Sequence, residues 1–200
     1  MENDNQIICD IEDYLSDYTE LIFENTCRNI QKDWAKEKDR IREEVVRCFK
    51  KVWEKTVSLQ DCNRKGAVKY WLISIQRCSL LWDEIAFRVE TFDDGFFLDD
   101  AESAEEYQPE FVKAYWNRDL EQLSDLLKKR FVRIQKYQHD IIREVYSPYY
   151  YAVIYQLLKA LLKGILKEIC VEKERICKDY KVIFGFYMGQ GTVLYEGEGI

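Results

Sequence analysis

The chain has 200 residues, enough for one domain with a substantial core or two closely packed ones. Its 47% apolar and 14% aromatic residues, with only two prolines and eight glycines, exclude a disordered linker. A net charge of −7 opposes bulk attraction to nucleic acid or anionic membranes.

The first residues, Met-Glu-Asn-Asp-Asn-Gln, lack the basic region and apolar run of a secretory signal, so a cytoplasmic location is expected. Seven cysteines at 9, 27, 48, 62, 78, 170 and 177 include no Cys-x-x-Cys pair. In a chain without a secretion signal they are expected to be reduced and largely buried.

Residues 10–33 carry Ile11, Tyr14, Leu15, Tyr18, Leu21, Ile22 and Phe23 at three- and four-residue steps, the period of an amphipathic helix. A second stripe, Ile41, Val45, Cys48, Val52 and Trp53, runs from about Trp34 to Thr56. No proline or glycine separates the two, so one long helix fits both. Gly66 closes this part.

Residues 67–98 are ambiguous. Val68–Ile75 is rich in β-branched and aromatic side chains, and Phe87–Thr91 alternates apolar with charged residues, as half-buried strands do. Asp94-Gly95 is a hairpin signal between Phe92 and Phe96. A helix competes, because Val68, Trp71, Leu72, Ile75, Trp82, Ile85 and Val89 also form a helical stripe. Strands are preferred because they would give the C-terminal hairpin something to pair with.

Asp99 to Gln108 reads as an acidic loop. From Pro109 a helical stripe runs to about Tyr146, through Leu120, Leu123, Leu127, Ile134, Ile141 and Val145. Ser147-Pro148 reads as an N-cap and first helical residue, starting another helix that reaches about Tyr180. Its longest apolar stretch, Tyr149 to Leu166, is interrupted by Gln156, Lys159 and Lys163, which is amphipathic rather than membrane-spanning. The final segment, Val182 to Tyr195, places aromatic and β-branched residues around Gly189-Gln190-Gly191 and reads as a β-hairpin.

The expected fold is therefore α+β: a single helix-rich domain over residues 1–200, with a helical part at about 10–58 and a sheet and acidic-loop region at 67–108. A helical pair at 109–180 and a hairpin at 182–195 complete it. The small sheet, expected to be antiparallel, draws on residues 67–98 and 182–195. An all-α bundle with a C-terminal hairpin is the alternative.

Chemistry is sparse. The one histidine, His139, is too few for zinc or di-iron motifs that need two. His139-Asp140 resembles the adjacent pair of metal phosphohydrolases, but that site needs further histidines. Asp93, Asp94, Asp99, Asp100 and Glu102 could gather a divalent cation, without EF-hand spacing. The pair of aspartate doublets loosely resembles the magnesium–diphosphate motif of all-helical prenyl-chain enzymes, with the wrong spacing. No cofactor is expected.

The charge is segregated. Residues 83–110 hold eleven acids and only Arg88, whereas the segment Phe111–Lys181 carries fifteen bases against nine acids. Lys128, Lys129, Arg130, Arg133, Lys136 and Arg143, and then Lys159, Lys163 and Lys167, form basic stripes. Tyr149, Tyr150, Tyr151 and Tyr155, with Phe184, Phe186 and Tyr187 on the hairpin, are candidates for an interaction surface, because aromatic rings supply contact area.

The leading expectation is a non-catalytic protein-interaction or regulatory module that binds a protein partner or itself, as a homodimer. The alternatives are a carboxylate-metal enzyme acting on a phosphorylated small molecule and, more weakly, a nucleic-acid binder.

Overall fold

The structure is a computed structural model that describes residues 2–131, 136–170, 172–187 and 189–197. In chain order it contains α1 (Glu2–Asp61), β1 (Val68–Ile75), β2 (Phe87–Phe92), β3 (Ala104–Tyr107), α2 (Glu110–Arg130), α3 (Lys136–Ile169), β4 (Ile176–Phe186) and β5 (Gly191–Glu196). The fold is α+β, as the helical stripes and the aromatic, β-branched runs require.

Two compact units divide the chain. A helical unit takes the chain up to Lys38, Cys78–Ile85 and Pro109–Ala152; a sheet unit takes Asp39–Arg77, Ala86–Gln108 and the chain from Val153. α1 carries both stripes but is kinked between them: Glu37 (φ −114, ψ 16) leaves the helical conformation beside the boundary at Lys38.

In the helical unit, Ile11, Leu15, Thr19, Thr26 and Ile30 of α1 are buried at helical spacing. Val112, Trp116, Asp119, Leu123 and Leu127 do the same for α2, and Ile141, Ile142, Tyr146 and Tyr150 for α3. The helix expected from Pro109 to Tyr146 is broken. α2 ends at Arg130, where Phe131 turns to an extended conformation (φ −112, ψ 125). Lys128, Lys129 and Arg130 fill its last turn and complement the helix dipole there.

Ser147-Pro148 does not start a helix, and Pro148 lies inside α3. A helical proline leaves the carbonyl four residues back without its donor. Ser147 Oγ donates to that carbonyl, of Glu144, at 3.4 Å, so the predicted cap residue repairs the ladder instead.

The sheet unit holds all five strands in the order β3-β2-β1-β4-β5. β1–β2, β2–β3 and β4–β5 are antiparallel, but β1 and β4 run parallel with Trp71 opposite Val182. The sheet is thus mixed rather than purely antiparallel. A parallel neighbour needs a long crossover, and the chain between β1 and β4 supplies it. Central β1 is buried nearly throughout, as its run of apolar residues demands.

One sheet face packs under helix: Phe49 and Trp53 of α1 stack on Trp71 at 5.4 and 6.2 Å, and Tyr155 of α3 meets Phe184 edge-on at 5.6 Å. The opposite face carries Tyr70 paired with Phe92. A 3-10 turn, Phe96–Leu98, folds over it, with Phe96 at 4.7 Å from Tyr70 and Phe97 at 5.7 Å from Phe92. Asp94-Gly95 therefore does not join two strands of a tight hairpin. β2 pairs with β3, and the expected acidic loop contains that strand. The helix expected to reach Tyr180 ends at Ile169, and β4 begins at Ile176.

β4 and β5 form the C-terminal hairpin, and its glycines are required by close approach. A Cβ on Gly185 would lie 2.4 Å from the Gln190 carbonyl oxygen, and one on Gly191 2.6 Å from Ile183 Cγ2.

Candidate interaction surface

The tyrosine corner builds the centre of the helical unit. Asp119 on α2 is fully buried. Its carboxylate accepts from Tyr146 and Tyr150 hydroxyls at 2.8 Å each and from Thr26 Oγ1 at 2.7 Å. Arg118 donates to it at 3.0 Å and reaches Thr26 as well, at 2.7 Å. Burial, reinforced by the Asp119 charge, pushes both phenols far above the usual tyrosine range. Every strong donor here is already matched, so the network fixes three segments of chain.

The other tyrosines divide. Tyr151 is buried, Tyr149 is half-buried against Phe23 at 4.8 Å, and Tyr155 lies half-buried on Phe184. Tyr150, Tyr151 and Phe184 are thus core residues, because their rings close the units from inside. Phe186 and Tyr187 are the sequence candidates that stand exposed.

The acidic candidates organise their own loop. Asp99 is buried against the equally buried Lys65 ammonium, which also donates to the Ala101 carbonyl at 2.8 Å. Asp99 further accepts from the Asp93 and Ala101 amides, both at 3.0 Å. Asp93 accepts from the Gly66 and Gly95 amides at 3.0 and 2.8 Å. Asp94 pairs with Lys69, whose ammonium holds the Asp94 carboxyl below its ordinary value, and Glu102 pairs with Arg88. Asp100 is exposed. Among the described residues, no three His, Cys, Asp or Glu side chains gather to hold a metal ion.

A groove of about 530 Å³ in the helical unit includes Asp83, Glu121, Lys128, His139 and Arg143 in its wall. Arg143 is held by Asp83 at 2.5 Å and Asp140 at 2.6 Å, and Lys128 by Asp125 at 3.1 Å. His139 Nδ1 lies 3.4 Å from Ser124 Oγ. That exceeds the reach of roughly 2.6–3.2 Å at which a base takes a proton. Arg133 of the basic stripe lies outside the described residues, as do the side chains of Lys136 and Tyr137. Lys159, Lys163 and Lys167 are exposed on α3.

The exposed apolar surface gathers elsewhere. In the sheet unit, Phe97 and Tyr187 pack edge to face at 5.7 Å while remaining 39% and 54% exposed. Leu98 beside them is 91% exposed, and Val193 of β5 is 42% exposed opposite Ile183. In the helical unit, the turn at 80–83 presents Leu81 and Trp82 outward. That turn is tied to α2: the Asp83 carbonyl accepts from the Trp116 indole at 2.8 Å.

Sequence reasoning found Phe186 and Tyr187 but missed Phe97, Leu98, Val193, Leu81 and Trp82. Consecutive Phe96-Phe97-Leu98 beside Asp-Gly was the available signal, because a tight turn cannot bury three successive apolar side chains.

No described helix is long and apolar enough to cross a membrane. No family model matches this chain, and neither a curated protein nor a solved structure is similar to it.

Proposed function

We propose that this chain works by binding rather than by catalysis: a cytoplasmic interaction or regulatory module whose contact surface is the aromatic patch of the sheet unit. The observation that carries the reading is the Phe97–Tyr187 pair, packed together yet exposed, with Leu98 and Val193 on the same unit. Exposed apolar groups held in place by their own packing are suited to contact, since little entropy is lost on binding. Support for a protein partner over nucleic acid comes from the net charge of −7 and from the ion pairs that engage Lys128 and Arg143. The expectation of largely buried cysteines holds for Cys48 and Cys170 but not for Cys9, Cys62 and Cys78, which are exposed. Burial pushes the Cys48 and Cys170 thiols up to about 12, which keeps them unreactive at neutral pH.

The test is site-specific photo-crosslinking in living cells, with the photoreactive residue placed at position 97 or 187 and, as a control, at exposed Glu12. Discrete adducts from 97 and 187 that disappear with Tyr187→Glu or Phe97→Asp are expected. Equal, diffuse labelling from all three positions would sink the reading.

A further inference from the structure

The sheet has two edges, and they are treated differently. β3 is the shorter, carries Glu105 and Glu106, and runs into Gln108-Pro109. α1 covers its carbonyls: Lys55 donates to Ala104 at 2.7 Å, and the Cys48 thiol lies 4.0 Å from the Glu106 oxygen. These are the devices that stop an edge from pairing: brevity, charge, proline and cover.

Over Gly191–Val193 β5 carries no charge and no proline; a bulge at Leu194 and the charged Glu196, which also guard an edge, come only after this run. Among the described residues, β4 is its single neighbour in the sheet.

The β4–β5 ladder shows which backbone groups β5 leaves outward. The Phe186 amide donates to Gln190 at 3.3 Å, and the Gly197 amide to Tyr180 at 2.8 Å, so Gln190 and Gly197 face β4. Alternation turns Thr192 inward and Gly191 and Val193 outward. The register then shifts between Val182, opposite Tyr195, and Ile183, opposite Val193; Leu194 is the extra residue and resets the alternation.

We propose that β5 pairs antiparallel with β5 of a second copy of this chain, in a register centred on Thr192. The proposal rests on the binding reading and names its occupant. In this register Gly191 of each copy exchanges backbone hydrogen bonds with Val193 of the other. Both outward residues are then satisfied together, which is the condition for an isologous contact. Thr192 meets its own symmetry mate, a favourable cross-strand pair. Val193 lies opposite a glycine and meets no steric competitor. Glu196 of each copy lies at opposite ends of the paired run, so the symmetry does not oppose like charges within it. A different protein carrying an uncharged strand could occupy the same edge; the experiment separates the two.

Molar mass is measured by light scattering from micromolar to near-millimolar concentration, on the full chain, with circular dichroism to verify folding. The wild type is expected to climb from the monomer mass toward twice that value. Thr192→Lys and Thr192→Glu each place like charges face to face at the dyad and are expected to stay monomeric, with an unchanged dichroism spectrum because Thr192 is exposed. An equimolar mixture of the two is expected to recover the doubled mass, since the opposed groups are then complementary. Val193→Pro, which removes an outward donor and leaves the ladder to β4, is expected to be monomeric as well.

A wild type that stays monomeric throughout, or a dimer that persists in both charge variants, overturns the proposal. If Tyr187→Glu dissociates the dimer and Thr192→Lys does not, self-pairing through β5 is wrong but binding through the aromatic patch survives. Crosslinks from position 187 to a different protein, with a monomeric wild type, have the same meaning.

Discussion

The two units bury carboxylates by opposite means. In the helical unit, Asp119 is surrounded mainly by neutral hydroxyls, with Arg118 at the margin where its side chain is 43% exposed. In the sheet unit, Asp99 faces the buried Lys65 ammonium. The first arrangement needs acceptors at given positions; the second needs charge. The difference teaches what each carboxylate is for. Asp119 fixes segments from α1, α2 and α3 in one unit, whereas Asp99 pins the 93–101 loop and so sets where Phe97 and Leu98 emerge.

The largest effects come from substitutions that separate these roles. Asp119→Ala leaves buried hydroxyls without an acceptor, and Asp99→Ala leaves a buried ammonium without a counter-ion. Each is expected to cost about 3–5 kcal/mol in urea unfolding. The amide variants should diverge. Asp119→Asn keeps an acceptor oxygen for Tyr146 and Tyr150 and can donate to Thr26 Oγ1, but its amino group replaces the oxygen that accepts from Arg118, so a loss of about 1–3 kcal/mol, smaller than that of the alanine variant, is expected. Asp99→Asn keeps the shape but not the charge, and should lose about as much as the alanine variant. Equal losses for the two asparagine variants would erase the proposed distinction.

An intermediate effect is expected in alkali. The Tyr146 and Tyr150 phenols are raised in the folded protein, first by burial and then by Asp119. Because the folded form holds these protons more tightly than the unfolded form, its advantage is complete below the unfolded tyrosine pKa of about 10. It is lost as pH rises from there through the folded values. The slope is on the order of 1.4 kcal/mol per tyrosine for each pH unit. Unfolding midpoints from pH 8 to pH 11.5 should therefore fall above about pH 10. Tyr150→Phe should start less stable at neutral pH and decline less steeply. A flat profile, or identical slopes for the wild type and Tyr150→Phe, would show that the hydroxyls do not carry this linkage.

Much of the helical architecture was legible in the sequence, because stripes such as Ile41, Val45 and Val52 report burial directly. β1 and β2 were legible from β-branched and aromatic density. Their partners were less so. The parallel β1–β4 pairing joins segments separated by two helices, and no local pattern specifies a direction across that interval. Ser147-Pro148 misled because a cap signature and a repaired proline share the same two residues. The tyrosine corner was visible as composition, but its acceptor was not: Asp119 lies on another helix, and an aspartate among charged neighbours has no mark of burial. The interaction surface is half legible, since Tyr187 stands out in the hairpin whereas Phe97, after Asp94-Gly95, reads as part of a strand. Whether a ring faces inward depends on the turn, and that turn depends on Asp93, Asp99 and Lys65 together.

The smallest effect probes the sheet unit alone. Gly164 sits on an exposed turn of α3, and a Cβ there would meet nothing within 4 Å. Glycine inside a helix forfeits stability, chiefly because its unfolded chain has more freedom to lose, so Gly164→Ala is expected to gain roughly 0.4–1 kcal/mol. The gain should appear as slower amide exchange along residues 153–169 and in the strands they cover. Protection around Asp119 is expected to change less, because Gly164 belongs to the sheet unit and Asp119 to the helical one. Equal gains in both units would mean that they open as one cooperative body, and the contrast between a helical unit and a sheet unit would then describe packing but not stability. Unequal gains would give each unit its own unfolding free energy, and would allow the aromatic patch to be stabilised without altering the tyrosine network.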